Sequence, residues 1–96
     1  MKKLTIIARI LAKKENREFI KAETLKLVDP TRSEEGCISY DLYEDNENEN
    51  LFIFIENWES EALLQKHTKS THFVEFSKAT EGTFEEFTVE KLSSLK

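Results

Sequence analysis

Two histidines, His67 and His72, are the chain's whole imidazole complement, and imidazole is the side chain that titrates unaided near neutrality, at about 6.5. Either could take or give a proton. Their spacing of five is not the interval of three or four that brings side chains to one helix face, and no third ligand stands nearby in sequence. They therefore read as acid-base groups and not as a metal site. Glu56 lies in the strongly apolar stretch that runs from Leu51 to Trp58. A carboxylate there must be paired, reach solvent at the strand end, or keep its proton. Arg9, which interrupts an otherwise apolar first strand, is the candidate partner, and a structural ion pair or interface contact is the favoured role, with catalysis as the alternative. Trp58 shares a strand face with Phe52, Phe54 and Glu56 by period two. Its simplest role is packing, as is that of Tyr40.

Other chemistries lack their residues. Two glycines cannot build a phosphate cradle or a dinucleotide loop. Cys37, the single cysteine, has no histidine close in sequence and sits at a strand start, away from the helix termini that lower thiol pKa. It cannot form an internal disulfide, which fits a reducing compartment.

The elements that must position these residues are legible from patterning. Leu4 to Ala12 and Leu51 to Ile55 are apolar without strict alternation, the mark of strands buried on both faces. Ile38, Tyr40 and Leu42, and later Phe87 and Val89, alternate with polar residues as edge strands do. About Asn16 to Val28 reads as a helix with Phe19, Ile20, Ala22 and Leu27 on one stripe. Asp29-Pro30 is expected to end it or to start one further turn that Gly36 closes. Ser60 caps a second helix carrying Ala62, Leu63 and Leu64. After a break at Thr68 to Thr71, a further helix brings Phe73, Val74 and Phe76 inward and ends at Gly82. Asp45 to Asn50 is the hairpin loop between the second and third strands.

The order is β-α-β-β-α-β, an α+β, ferredoxin-like domain over residues 1–96 with a four-stranded antiparallel sheet. Helices can cover only one face of that sheet, yet the central strands are apolar on both. A second copy packed sheet to sheet, a homodimer, is the expected cover. Nineteen acidic against fourteen basic residues, a net charge of -5, speak against nucleic acid, whose phosphates need clustered Lys and Arg. No stretch approaches the ~20 apolar residues of a membrane helix, and Arg9 and Lys13-Lys14 spoil a signal-peptide reading of the N-terminus. A cytoplasmic protein is expected, with no membrane partner.

The stretches Glu35 to Tyr40 and Phe54 to Ser60, with His67 and Ser70 to Phe73, resemble the antibiotic biosynthesis monooxygenase (ABM) domain family. The resemblance runs from the first strand through Phe76 and is nearest to small stand-alone quinol monooxygenase-like members. Its most specific part is the string Glu56, Trp58, His67 and His72. The resemblance implies a dimeric α+β barrel of two ferredoxin-like protomers. It also implies chemistry drawn from cofactor-free oxygenation of phenols or quinols, haem degradation, or isomerisation of a phosphorylated signal. For the haem branch, ungapped comparison from Trp58 puts His67 at the Trp position and Ser77 at the His position, and the first strand holds no Asn. A haem cofactor is therefore not expected, nor any other.

The resemblance makes His67 the proton handler in a pocket between helix and sheet, Trp58 and Tyr40 its walls, and Glu56 or Arg9 its polar orienters. His72, beside a helix start, is read first as a capping or packing residue. The expected substrate is a small aromatic or quinol-like molecule. The alternatives are isomerisation of a small carbonyl-containing metabolite and a non-catalytic ligand-binding dimer.

Overall fold

The computed structural model describes residues 3–96. The elements are β1 (Leu4–Ala12), a single 3-10 turn (Lys14–Asn16), α1 (Arg17–Arg32), β2 (Cys37–Asp45), β3 (Asn48–Trp58), α2 (Glu61–Thr68), α3 (Thr71–Thr80) and β4 (Phe84–Ser93). All pairings are antiparallel and the sheet order is β2-β3-β1-β4. The two apolar runs are the central strands, as the ferredoxin-like reading requires.

Period two divides the central strands cleanly. Ile6, Ala8, Ile10 and Ala12 of β1 and Phe52, Phe54, Glu56 and Trp58 of β3 are buried on the helix-covered face. Their neighbours Ile7, Arg9, Leu11, Leu51, Ile53 and Ile55 point to the other face, where none is fully buried. On the covered face α1 rests on β2 and against α3. Its buried stripe is Ile20, Thr24, Leu27 and Thr31. Phe19 and Ala22, expected on that stripe, are exposed. The two threonines replace them, and Thr24 satisfies its hydroxyl on the Ile20 carbonyl at 2.8 Å.

Pro30 does not stop α1, which continues to Arg32. A proline this close to the C-terminus forfeits only one helix hydrogen bond, and the last turn closes through Ser33 N–H to the Pro30 carbonyl and Glu34 N–H to that of Thr31. The chain then turns at Gly36, with φ of +84°, and a Cβ there would overlap the Leu63 side chain. This absence of a side chain lets the α1–β2 connection lie directly on α2. The β2–β3 turn is tighter than expected, since strand pairing continues to Asp45 and resumes at Asn48. Val74, expected inward, is 37% exposed, while Phe76 is buried at 6%.

Candidate functional site

Two serine caps hold His67 and His72 on either side of one helix break. Ser60 Oγ accepts from Leu63 N–H at 3.2 Å to start α2, and Ser70 Oγ accepts from Phe73 N–H at 3.3 Å to start α3. Ser70 also donates to the His67 carbonyl at 2.7 Å, tying the end of one helix to the start of the next. Each cap is worth about 1 kcal/mol, a large share for an eight-residue helix such as α2.

His67 is 2% exposed. Its ring lies 4.9 Å from that of Trp58, 5.0 Å from Phe73 and 5.7 Å from Tyr40, measured between centroids. Glu34, from the α1–β2 connection, accepts through Oε2 from His67 Nδ1 at 2.6 Å and from His72 Nε2 at 2.6 Å. A carboxylate only accepts, so both ring nitrogens facing it carry the proton. His67 Nε2 is left as a free lone pair with no protein partner among the described residues. Burial pushes the His67 pKa below the ordinary imidazole value, partly opposed by its bond to Glu34, while His72 pushes it further down. The ring is therefore neutral at neutral pH.

Glu56 does not meet Arg9. The two lie on opposite faces of the sheet, and Arg9 pairs instead with Glu90 of β4. An odd and an even position on antiparallel strands in this register cannot share a face, which is why the expected ion pair fails. Glu56, 5% exposed, accepts from Trp58 Nε1–H at 2.9 Å through Oε1. Burial raises its carboxyl to about 7; the Trp58 bond pulls it down and Glu34 pushes it up. The group is thus shared between acid and carboxylate near neutrality.

His67 and Glu56 both line a cavity of about 140 Å³ between α2 and the sheet. Its walls are Ile6, Ala8, Leu64, Phe73, Phe87 and Val89, with Lys91 and Gln65 at the rim. Lys91 is tied to Glu61 at 3.1 Å. Larger hollows of about 270 Å³ beside His72 and about 380 Å³ over Glu34 and Glu35 lie outside this wall. The first mixes Glu23, Lys26 and Glu75 with Leu27 and Phe76, the second is polar throughout, and neither is lined by His67 or Glu56.

Trp58 and Tyr40, expected as pocket walls, are at 0% and 2% exposure and stand behind His67 and Glu56 instead of on the cavity. Trp58 fixes the Glu56 carboxylate and backs the His67 ring, and Tyr40 packs on Phe54 at 4.8 Å. Burial, with Glu56 beside it, drives the Tyr40 phenol far above its usual range, so it is no proton donor here. Burial and the neighbouring Glu34 raise the Cys37 thiol to about 11, leaving it protonated and inert. His72 is on the far side of the Glu34 carboxylate, outside the cavity. Glu34 was not singled out by the sequence. It lies thirty-three residues before His67, and only the fold brings them together.

A family model described as antibiotic biosynthesis monooxygenase matches residues 3–79. This chain belongs to the antibiotic biosynthesis monooxygenase family. Its relatives include the "Putative monooxygenase YcnE" of Bacillus subtilis, 38% identical over 73 residues, which are 76% of this chain and 77% of that protein. The uncharacterized protein sll1783 of Synechocystis is 37% identical over 76% of this chain, a match that spans half of that longer protein. The crystal structure of PA3566 from Pseudomonas aeruginosa superposes with a TM-score of 0.96 at 35% identity, over 100% of this chain and 97% of that one. For this ABM chain the matched stretch contains Glu34, Glu56, His67 and His72, whereas the β4 wall of the cavity, Phe87 to Lys91, lies beyond it.

Proposed function

We propose that the chain is a cofactor-independent monooxygenase acting on a small, single-ring phenol or quinol. The observation that supports this most is the free Nε2 lone pair of His67 on a largely apolar cavity of about 140 Å³. That volume is close to the ~150 Å³ of an apolar cavity that holds benzene, enough for one aromatic ring within the walls.

In this reading His67 Nε2 takes the phenolic proton, with Glu34 holding the ring in the required tautomer and stabilising the imidazolium. The phenolate passes one electron to O₂, and the resulting radical and superoxide combine to a ring hydroperoxide. Loss of water from the hydroperoxide breaks the O–O bond and leaves a quinone. One oxygen atom is then in the product and the other in water, and the proton held by His67 leaves with that water. Protonated Glu56 donates to the developing ring carbonyl.

A second reading is favoured by Glu56 itself. A neutral base and a carboxyl with pKa raised to about 7 on the same cavity form the acid-base pair that isomerisation of a small carbonyl compound needs, with no oxygen consumed. Oxygen uptake separates the two. With hydroquinone as probe the monooxygenase reading expects one O₂ consumed per hydroxybenzoquinone formed, with one ¹⁸O atom from ¹⁸O₂ in that product and no hydrogen peroxide, at a rate reduced about 100-fold or more in His67→Gln. Turnover unaffected by His67→Gln would remove the assignment of the base.

The half-covered sheet face supports a homodimer as the working unit. Ile55 is 37% exposed, Tyr43 51% and Leu92 43%, flanking Ile7 and Ile53 on one surface. Sedimentation at micromolar concentration is expected to give twice the chain mass of 11.3 kDa, and Ile55→Asp is expected to give the chain mass.

A further inference from the structure

The Glu34 carboxylate gathers two imidazoles from two helices onto one oxygen. A carboxylate oxygen accepts more than one hydrogen bond, so the same Oε2 holds both rings. His67 Nδ1, His72 Nε2 and Glu34 Oε2 all lie within 4.8 Å of one another. Both nitrogen-to-oxygen distances are 2.6 Å. Around a tetrahedral ion with ligand bonds of about 2.0 to 2.1 Å, donor atoms stand roughly 3.3 Å apart. Both nitrogen-to-oxygen distances are shorter than this, while the three donor atoms span no more than 4.8 Å, so the Glu34 carboxylate, which lies against both imidazoles, has to move aside for an ion to enter.

We propose that Glu34, His67 and His72 form a binding site for a divalent first-row transition ion. Two imidazoles and one carboxylate are borderline donors that select zinc, cobalt, nickel or iron over magnesium and calcium, which take all-oxygen shells. Three protein ligands leave at least one coordination position for water. The rings are held before any ion arrives. His67 is clamped by Trp58 and Phe73, and His72 sits in the first turn of α3, which the Ser70 cap two residues earlier starts. The His72 and Glu34 side chains are 25% and 15% exposed, and each also borders a solvent-facing hollow, so an ion reaches the cluster without crossing the substrate cavity.

Occupancy has a definite consequence for His67. In the ion-free cluster Nδ1 bears the proton and Nε2 the lone pair. An ion on Nδ1 needs that lone pair, so the ring proton moves to Nε2, and the cavity then faces a donor instead of an acceptor. His72 shifts in the opposite sense, from Nε2–H to Nδ1–H. Neither step changes the charge of a neutral ring, so the exchange is a tautomer shift of both histidines together.

Binding does not depend on the reaction proposed above and is tested with the ion alone. Tag-free full-length protein is titrated with ZnCl₂ by calorimetry and with CoCl₂ by visible absorption, and the histidine nitrogens are followed by ¹⁵N NMR. One ion per chain, tetrahedral cobalt bands, and simultaneous movement of the His67 proton to Nε2 and the His72 proton to Nδ1 are expected. Glu34→Gln and His72→Gln are expected to weaken binding more than about 10-fold, with folding of each variant checked by circular dichroism. Lys69→Gln, beside the cluster but not a ligand, is the control that leaves affinity unchanged. Absence of saturable binding, binding indifferent to both ligand substitutions, or unmoved histidine tautomers would each overturn the site and leave a hydrogen-bonded cluster only. A hydroquinone assay with and without ZnCl₂ then reads the linkage separately. Loss of oxygen uptake at saturating zinc is the expected result, and failure of the reaction itself leaves the binding result standing.

Discussion

The two faces of the same sheet differ by a shift of one residue along each strand, and almost everything else follows from that shift. On the covered face Ile10, Phe52, Phe54 and Trp58 are at 2% exposure or less, and the one carboxylate among them, Glu56, has a raised pKa. On the open face Ile55 is 37% exposed and the charged residues Arg9 and Glu90 simply pair at the surface. A strand therefore makes a charge into a reagent or into a decoration according to which way its side chain points. The low dielectric that perturbs Glu56 is supplied by the helices above it.

The largest test of this contrast is a pair of neighbouring truncations. Phe54→Ala, on the covered face, is expected to cost about 3–5 kcal/mol. Ile55→Ala, one residue on, is expected to cost less than half as much in dilute solution, read by urea unfolding. If the open face is packed against a second copy, the Ile55 cost grows with protein concentration while the Phe54 cost does not. Equal costs at every concentration would break the comparison.

The next test is the pH dependence of Glu56. Its carboxyl is raised from 4.5 to about 7 in the folded protein. Below pH 4.5 both folded and unfolded states hold the proton, and burial of the neutral acid carries no ionisation penalty. As pH rises to about 7 the unfolded state ionises first, so stability falls, and above about 7 the loss levels off at about 3 kcal/mol. Glu56→Gln keeps a carbonyl acceptor for Trp58 Nε1–H and removes the titration. Its melting temperature is expected to exceed that of the parent at pH 8 and to approach it at pH 4, where a constant difference would contradict the raised pKa.

The smallest expected effect is on the open face. Arg9→Ala breaks a pair whose side chains are 41% and 48% exposed, and such pairs contribute about 0–1 kcal/mol. A larger loss, appearing only at concentrations where the protein sediments as a dimer, would move Arg9 from surface to interface.

Much of this contrast is legible in the sequence, because period two along Leu51 to Trp58 and along Leu4 to Ala12 fixes which residues face together. The topology and the Ser60 cap follow from equally local signals. The site was legible only where it obeyed the same local rules. Glu56 beside Trp58 is a strand-face relation and was readable, but the partner of Glu56 was not, since Arg9 is one position off the required face. Glu34 carried no signal at all. It is one of nineteen acidic residues, and its meeting with His67 depends on a turn, a glycine and the docking of a helix from another part of the chain. The absence of a third ligand near the histidines in sequence, which argued against a metal, says nothing about what the fold delivers.

α2 spans eight residues, well below the length at which a helix is stable in water by itself. It is held by one serine, by Leu64 and His67 beneath it, and by the connection that lies on it at Gly36. In the language of local unfolding it is a small cooperative unit with few anchors, so its amide protons exchange with solvent earlier than those of sixteen-residue α1. The same opening carries His67 away from Trp58 and Phe73 and from the cavity it lines. Hydrogen exchange of α2 thereby reads how often the base is out of place, a property of the short helix and not of the sheet on which the rest of the cavity is built.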